Sequence, residues 1–265
     1  MLFRSLYAAG DAQQHDRARA LFPPDVVAWV QATQPKAWDV LSKNHGASAE
    51  TVLLDRLRKS LDDRGTLDVL RNGIEMIGLR QPLLFAQFKP ALAMNPETLE
   101  KYAANRLRVV REVYYSTKCD DRLDLAFYLN GIPVATAELK TDFTQSVHDA
   151  IDQYRFDRNP KGKGKGGGIE PLLSFPCGAL VHFAVSNMEV HMTTKLAGPG
   201  TTFLPFNKGD NGAAGNPANP KGGHRTAFLW EEVLERESWL EIIGRYLITK
   251  RDKKKKIVEI GRAHV

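Results

Sequence analysis

The sequence predicts an α/β domain, a small mixed sheet with helices on its flanks. Three observations carry this. Apolar residues recur at helical spacing through the N-terminal third and again over residues 147–154. Two strand-like runs at residues 123–140 meet at Asn130-Gly131, a dipeptide suited to a tight hairpin. A second pair of strand-like runs surrounds Ser186-Asn187. Helices before, between and after two strand pairs place helix layers against a sheet.

In order, "LFPPDVVAWVQAT" opens a helix with Pro23, Pro24 and Asp25 as start signals. "SAETVLLDRLRKSLDD" sets Val52, Leu53, Leu57 and Leu61 on one stripe, with Ser48 at the N-cap. "TLDVLRNGIEMIG" stops at glycine, so residues 20–85 read as mainly helical. "NPETLEKYAANRLRVVREV" begins as a helix capped at Asn95 and then extends. "QSVHDAIDQYRFD" is helical, with Val147, Ala150, Ile151 and Tyr154 on one face. "KGKGKGGG" is a loop, and residues 207–224, rich in Gly, Asn and Pro, form a long irregular one. "AFLWEEVLERESWLEIIGRYL" closes the chain with a helical segment broken near Ser238.

Composition sets outer limits. With 265 residues and 43% hydrophobic content the chain can bury a core. A net charge of +6 favours an anionic partner, although Lys161, Lys163, Lys165 and Lys253–Lys256 supply much of it, and such runs are commonly just solvated. Cys119 and Cys177 have no metal spacing and make no disulfide framework, which fits a cytoplasmic compartment. No apolar run is long enough to cross a bilayer, so no membrane is expected. "GDNGAAGNPANPKGG" lacks the G-x-x-x-x-G-K-[ST] pattern and is not read as a nucleotide loop.

The hairpin "LDLAFYLNGIPVATAELK" carries the chemistry. Strand alternation puts Leu123, Leu125, Phe127 and Leu129 on one face and Asp124, Ala126 and Tyr128 on the other. Glu138 and Lys140 share a side of the return strand. One acid on each of two adjacent strands can hold Mg²⁺, which takes oxygen ligands and activates water for attack at phosphorus. A nearby lysine can orient or deprotonate that water, or neutralise the phosphate. On spacing alone, Glu and Lys two apart are more often a solvated surface pair. The apolar setting of Val134, Ala135, Thr136, Ala137 and Leu139 argues that Glu138 has a partner. A plain two-residue Asn130-Gly131 loop would turn Asp124 and Glu138 to opposite faces. Convergence therefore requires a three-residue loop (Leu129-Asn130-Gly131 or Asn130-Gly131-Ile132) or a bulge.

This stretch resembles the N-terminal nuclease domain of the endonuclease (R) subunit of type I restriction enzymes. The resemblance rests on "RLDLAFYLNGIPVATAELK", "DAIDQYRFDR", "LVHFAV", "VHMTTKLAG", "FLPFNKG", "FLWEEVLERESWLEII" and "FKPALAMNPETLEKYAANRL", within residues 20–250. It implies a PD-(D/E)xK restriction-endonuclease-like fold, with Asp124 and Glu138 as metal ligands and Lys140 as the catalytic lysine. It also implies Mg²⁺-dependent cleavage of double-stranded DNA. Supporting residues in that family follow Q-x-x-x-Y. Here Gln153 and Tyr154 are adjacent, a departure that leaves core packing as an equal reading of Tyr154. His182 and His191 read as strand histidines, His148 lies on the polar side of its helix, and Glu50 reads as a solvated helix acid.

The resemblance further implies a nuclease domain over residues 1–250, helical at about 20–85 and catalytic at about 95–250, with 251–258 starting a linker to motor domains. Those domains would bring ATP and DNA translocation; methylation and specificity subunits would be partners. "EIGRAHV", residues 259–265, matches a translated sequencing adapter and is expected to pack against nothing. Competing readings are a stand-alone repair nuclease of the same fold and a catalytically inactive DNA-binding module.

Overall fold

The structure is a computed structural model that describes residues 7–92, 94–141, 145–162, 168–254 and 256–262. Four α-helices occupy the N-terminal part: α1 (Pro23–Thr33), α2 (Pro35–His45), α3 (Ala49–Arg64) and α4 (Thr66–Asn72). The first two begin on proline, whose missing N–H costs nothing in a first turn. Leu53, Leu57 and Leu61 of α3 are all buried, as the stripe predicts. Ser48 occupies the N-cap of α3 without a side-chain capping bond. Helix α4 stops at Gly73, whose φ of 66° suits glycine. The Asn95 side chain caps α5 (Pro96–Ala104) by accepting from the Thr98 N–H at 3.4 Å.

Among the described residues seven strands form one mixed sheet in sequential order: β1 (Ala8–Gly10), β2 (Leu107–Tyr114), β3 (Arg122–Leu129), β4 (Ile132–Leu139), β5 (Val181–Val185), β6 (Val190–Thr193) and β7 (Leu204–Pro205). The β1–β2 and β4–β5 pairs are parallel, and the other pairs are antiparallel. The β4–β5 crossover carries α6 (Val147–Asp152) and a π-helical turn, Gln153–Asp157. The sheet is wider than the small one expected, because β1 and β7 are too short to read from a strand pattern.

Each face has its own core. One gathers Trp29, Leu53, Leu57 and Leu61 with Phe127, Leu129, Phe183 and Trp239. The other gathers Phe22, Tyr128, Ile151, Tyr154 and Leu173. A fully buried leucine contributes about 1.5–3 kcal/mol, so Leu53, Leu57 and Leu61 tie α3 into the first core. Asp25, buried at the start of α1, accepts from Arg106 Nη1 at 3.1 Å and Arg108 Nη2 at 2.8 Å, which ties that helix to β2.

The C-terminal part departs from expectation. The helical segment breaks at Glu235, not near Ser238. The Glu235 carboxylate accepts from the N–H groups of Glu237 and Ser238 and caps α7 (Arg236–Glu241). Residues 251–258, expected as the start of a linker, fall within an antiparallel hairpin of β8 (Leu247–Arg251) and β9 (Ile257–Arg262). Residues 259–262 therefore do pack. Ile260 is buried, and its carbonyl accepts from Thr194 Oγ1 at 2.9 Å. Residues 263–265 of that tail, and Lys163, Lys165 and Lys255 of the lysine runs, lie outside the described residues. Lys161, Lys253, Lys254 and Lys256 are exposed.

Candidate functional site

The site is built on the β3–β4 hairpin. Asn130 (φ 48°) and Gly131 (φ 83°) both take positive φ, as a two-residue I′ turn requires. Asn130 is fully buried. Its amide donates to the Phe85 carbonyl and to Asn105 Oδ1, both at 2.9 Å, and its Oδ1 accepts from the Arg106 N–H at 2.7 Å. Gly131 packs under α1: a Cβ there would lie 2.5 Å from the Phe22 carbonyl oxygen.

From this turn the ladder runs Leu129–Ile132 and Tyr128–Pro133, and then jumps to Phe127–Ala135. Val134 is the extra residue of a β-bulge. Pro133 beside it has no N–H to give a regular ladder, and proline within sheets favours such places. Beyond the bulge the register ends with Leu125 paired to Ala137; Asp124 and Glu138 each stand one residue past that pair, and the Asp124 charge acts on the Glu138 carboxyl. Of the routes to convergence, the structure takes the bulge, with a two-residue turn.

A second irregularity lies across β3. Glu112 of β2 has φ 52°, and the ladder passes from Arg111–Leu125 to Val113–Leu123 without a Glu112–Asp124 pair. Leu123 consequently packs with Ala126 and Tyr128, not with Leu125 and Phe127 as simple alternation suggests.

Glu138 is fully buried, and Arg158 is its partner: Nε donates to Oε1 at 2.8 Å. Burial pushes the Glu138 carboxyl up to about 8; Arg158 opposes this shift and the Asp124 charge adds to it. Glu138 Oε2 is buried without a hydrogen-bond partner. Asp124 is half-buried, and its Oδ2 accepts from the Leu139 N–H at 2.7 Å.

Lys140 follows the last residue of β4. Its N–H donates to the Val185 carbonyl at 2.8 Å, while its half-buried ammonium pairs with neither acid. Its charge is felt at Asp149, whose carboxyl is held low chiefly by the Ser146 N–H and hydroxyl.

Tyr154 is fully buried. It packs 5.6 Å from the Phe203 ring, and its hydroxyl hydrogen-bonds Thr136 Oγ1 at 2.8 Å. Burial and then the Glu138 charge drive its hydroxyl well above the usual tyrosine range. Gln153 starts the π-helical turn, and its Oε1 is buried without a partner.

His182 is a strand histidine: it is buried, pairs with Thr136 Oγ1 at 2.7 Å, and desolvation pushes its imidazole down to about 3. His191 contacts Glu189 at 3.4 Å and the His148 ring at 6.1 Å. Glu50 is an exposed acid in the first turn of α3.

Sequence reasoning passed over two residues. Thr136 stands two before Glu138 on the same strand, so alternation alone could have drawn attention to it. Arg158 closes the stretch "DAIDQYRFDR", and nothing in its spacing marks it as interior.

The donor set fits a hard divalent cation. Glu138 Oε2 is an orphaned buried acceptor, and Asp124 is close enough for its charge to act on the Glu138 carboxyl. No group of three His, Cys, Asp or Glu side chains suited to a metal occurs among the described residues. Mg²⁺ is commonly held by one or two carboxylates plus water and substrate oxygens, so two acids suffice.

The sequence pattern of the type I restriction enzyme R protein N terminus matches residues 31–201. The chain belongs to this family. The matched span contains the hairpin, Lys140, the Gln153–Asp157 turn, Arg158 and β5. A search of curated proteins gave no match. Among the described residues no helix is long and apolar enough to cross a membrane.

Proposed function

We infer that this R-protein N terminus is a Mg²⁺-dependent endonuclease domain of PD-(D/E)xK type, hydrolysing phosphodiester bonds of unmodified foreign double-stranded DNA. The observation that carries this is the bulged hairpin, which leaves Asp124 and Glu138 each one residue past the Leu125–Ala137 pair and close enough for the Asp124 charge to act on Glu138, with one oxygen of Glu138 left unpartnered. Family membership supports the setting: a restriction complex in which motor domains use ATP to translocate DNA, with methylation and specificity subunits as partners.

Asp124 and Glu138 would hold the cation. When bound, it supplies Lewis acidity that activates water and offsets charge growing on phosphorus. The Leu139 N–H fixes one Asp124 oxygen, so the carboxylate presents its other oxygen without rotating. Tyr154 and Thr136 form a hydrogen-bonded floor beside Glu138 that excludes water from behind it. Lys140, held at its backbone by β5, brings a flexible ammonium to the rim, where it can orient the attacking water or neutralise the scissile phosphate.

The test is a reconstituted complex carrying Asp124→Ala, Glu138→Ala or Lys140→Ala. Each variant should stop cleavage and leave ATP-driven translocation intact. Calorimetric titration with Mn²⁺ should show lost affinity for the two acid variants and little change for Lys140→Ala. Cleavage by all three would refute the assignment.

A further inference from the structure

Arg158 has no assigned role in the reaction, yet it is the ion-pair partner of Glu138. It follows the π-helical turn Gln153–Asp157, and its N–H donates back to the Gln153 carbonyl at 3.0 Å. Its side chain is only 9% exposed and that of Glu138 is 0% exposed. The guanidinium lies 5.8 Å from the centre of the Tyr115 ring. Tyr115 is itself anchored by its hydroxyl to the Asp157 carbonyl at 3.2 Å. A long flexible side chain is thus clamped at both ends, with one N–H on Glu138 Oε1 and none on Oε2.

A buried carboxylate needs a counter-charge, and Arg158 is one already in place. A divalent cation arriving at Oε2 would share its carboxylate with a resident cation, and like charges at close range repel. We propose that Arg158 is a built-in counter-cation: it keeps the metal-free site folded and holds the affinity of the Asp124–Glu138 pair for a free divalent cation low. This rests on the reading of that pair as the metal site. Charge counting extends it to the substrate. Two carboxylates against Arg158, Lys140 and one divalent cation leave two surplus positive charges, one of which a phosphodiester would cancel. Cation and DNA backbone then bind each other's complex better than the empty site, as linkage requires.

Calorimetry with Mn²⁺ on the purified chain tests this, with Arg158→Gln, Arg158→Met and Arg158→Lys. The glutamine side chain can keep a hydrogen bond to Glu138 but carries no charge, and lysine keeps the charge. Arg158→Gln and Arg158→Met should bind Mn²⁺ about tenfold tighter or more, and Arg158→Lys close to wild type. In thermal melts at pH 8, where the Glu138 carboxyl is about half ionised, the two neutral variants should be less stable in chelator and gain more than wild type from added Mn²⁺. If Arg158→Met does not fold, Arg158→Gln decides. Arg158→Gln binding no tighter than wild type, while Asp124→Asn abolishes binding, would overturn this proposal and leave the metal-site reading standing. No Mn²⁺ binding by wild type or Arg158→Gln would overturn both.

Discussion

Replacing Glu138 by glutamine should make the metal-free protein more stable at pH 8 and leave it unchanged near pH 5. In the folded chain the Glu138 carboxyl is pushed up from its ordinary 4.5 to about 8, chiefly by burial. Between those values the folded state holds a proton that the unfolded chain has released, so stability falls as pH rises through the window. A carboxyl moved from 4.5 to about 8, at about 1.4 kcal/mol per pH unit, forfeits on the order of 4–5 kcal/mol by pH 8. The glutamine variant cannot ionise at this position and forfeits none. Arg158 faces a neutral side chain both in the variant and in the protonated wild type, so the comparison isolates the charge. The assay is urea unfolding of both proteins in chelator at pH 5, 6, 7 and 8, which keeps stray cations from masking the carboxylate. The two stability curves should diverge steadily with pH, Glu138→Gln uppermost. Parallel curves would mean that Glu138 is not confined in a dry, weakly neutralised position, and the electrostatic account of the site would fail.

Three further outcomes are expected. Asn130→Ala strands the Phe85 carbonyl and the Arg106 N–H, while Asn105 Oδ1 keeps the Gln87 N–H; at about 1–3 kcal/mol for a buried unpaired group, the denaturation midpoint should report a loss of at least about 2 kcal/mol. Removing residues 257–265 should lower the melting temperature, since burial of Ile260 alone is worth about 1.5–3 kcal/mol; an unchanged melt would mean β9 contributes nothing. His182 and His15 are pushed down to about 3 and about 4, so below pH 6.5 the unfolded chain takes up protons that the folded one refuses. Stability should therefore fall as pH drops through that range, and His182→Gln should flatten the decline, as acid titration of the unfolding free energy would show.

Much of this is legible in the residues alone. Asn130-Gly131 announces the hairpin, and the demand that Asp124 and Glu138 share a face leads to an extra residue. Pro133 in the ladder explains where it falls, because a strand that lacks one N–H gives up register most easily there. The helices are readable because their apolar stripes are local. What stays hidden is non-local. Arg158 looks like any solvated arginine until the crossover folds it under β4. The αL turn at Glu112 occurs inside a sequence that reads as plain strand, and it moves Leu123 into a different core. The β8–β9 hairpin escapes notice because its charged, lysine-rich tip resembles a linker, while Ile260 finds its burial only against the rest of the protein.

The bulge at Val134 also makes the hairpin sensitive to whether its residue count is odd or even. One unpaired residue between the two acids keeps them on the same side, and two or none would separate them. Deleting Val134 would leave a more regular ladder, every side chain of the site still present, and a site unable to assemble. Removing a residue on each side of the turn would shorten the hairpin more and still keep the acids facing one another. For this segment, damage does not grow with the length of the deletion: losing one residue is worse than losing two.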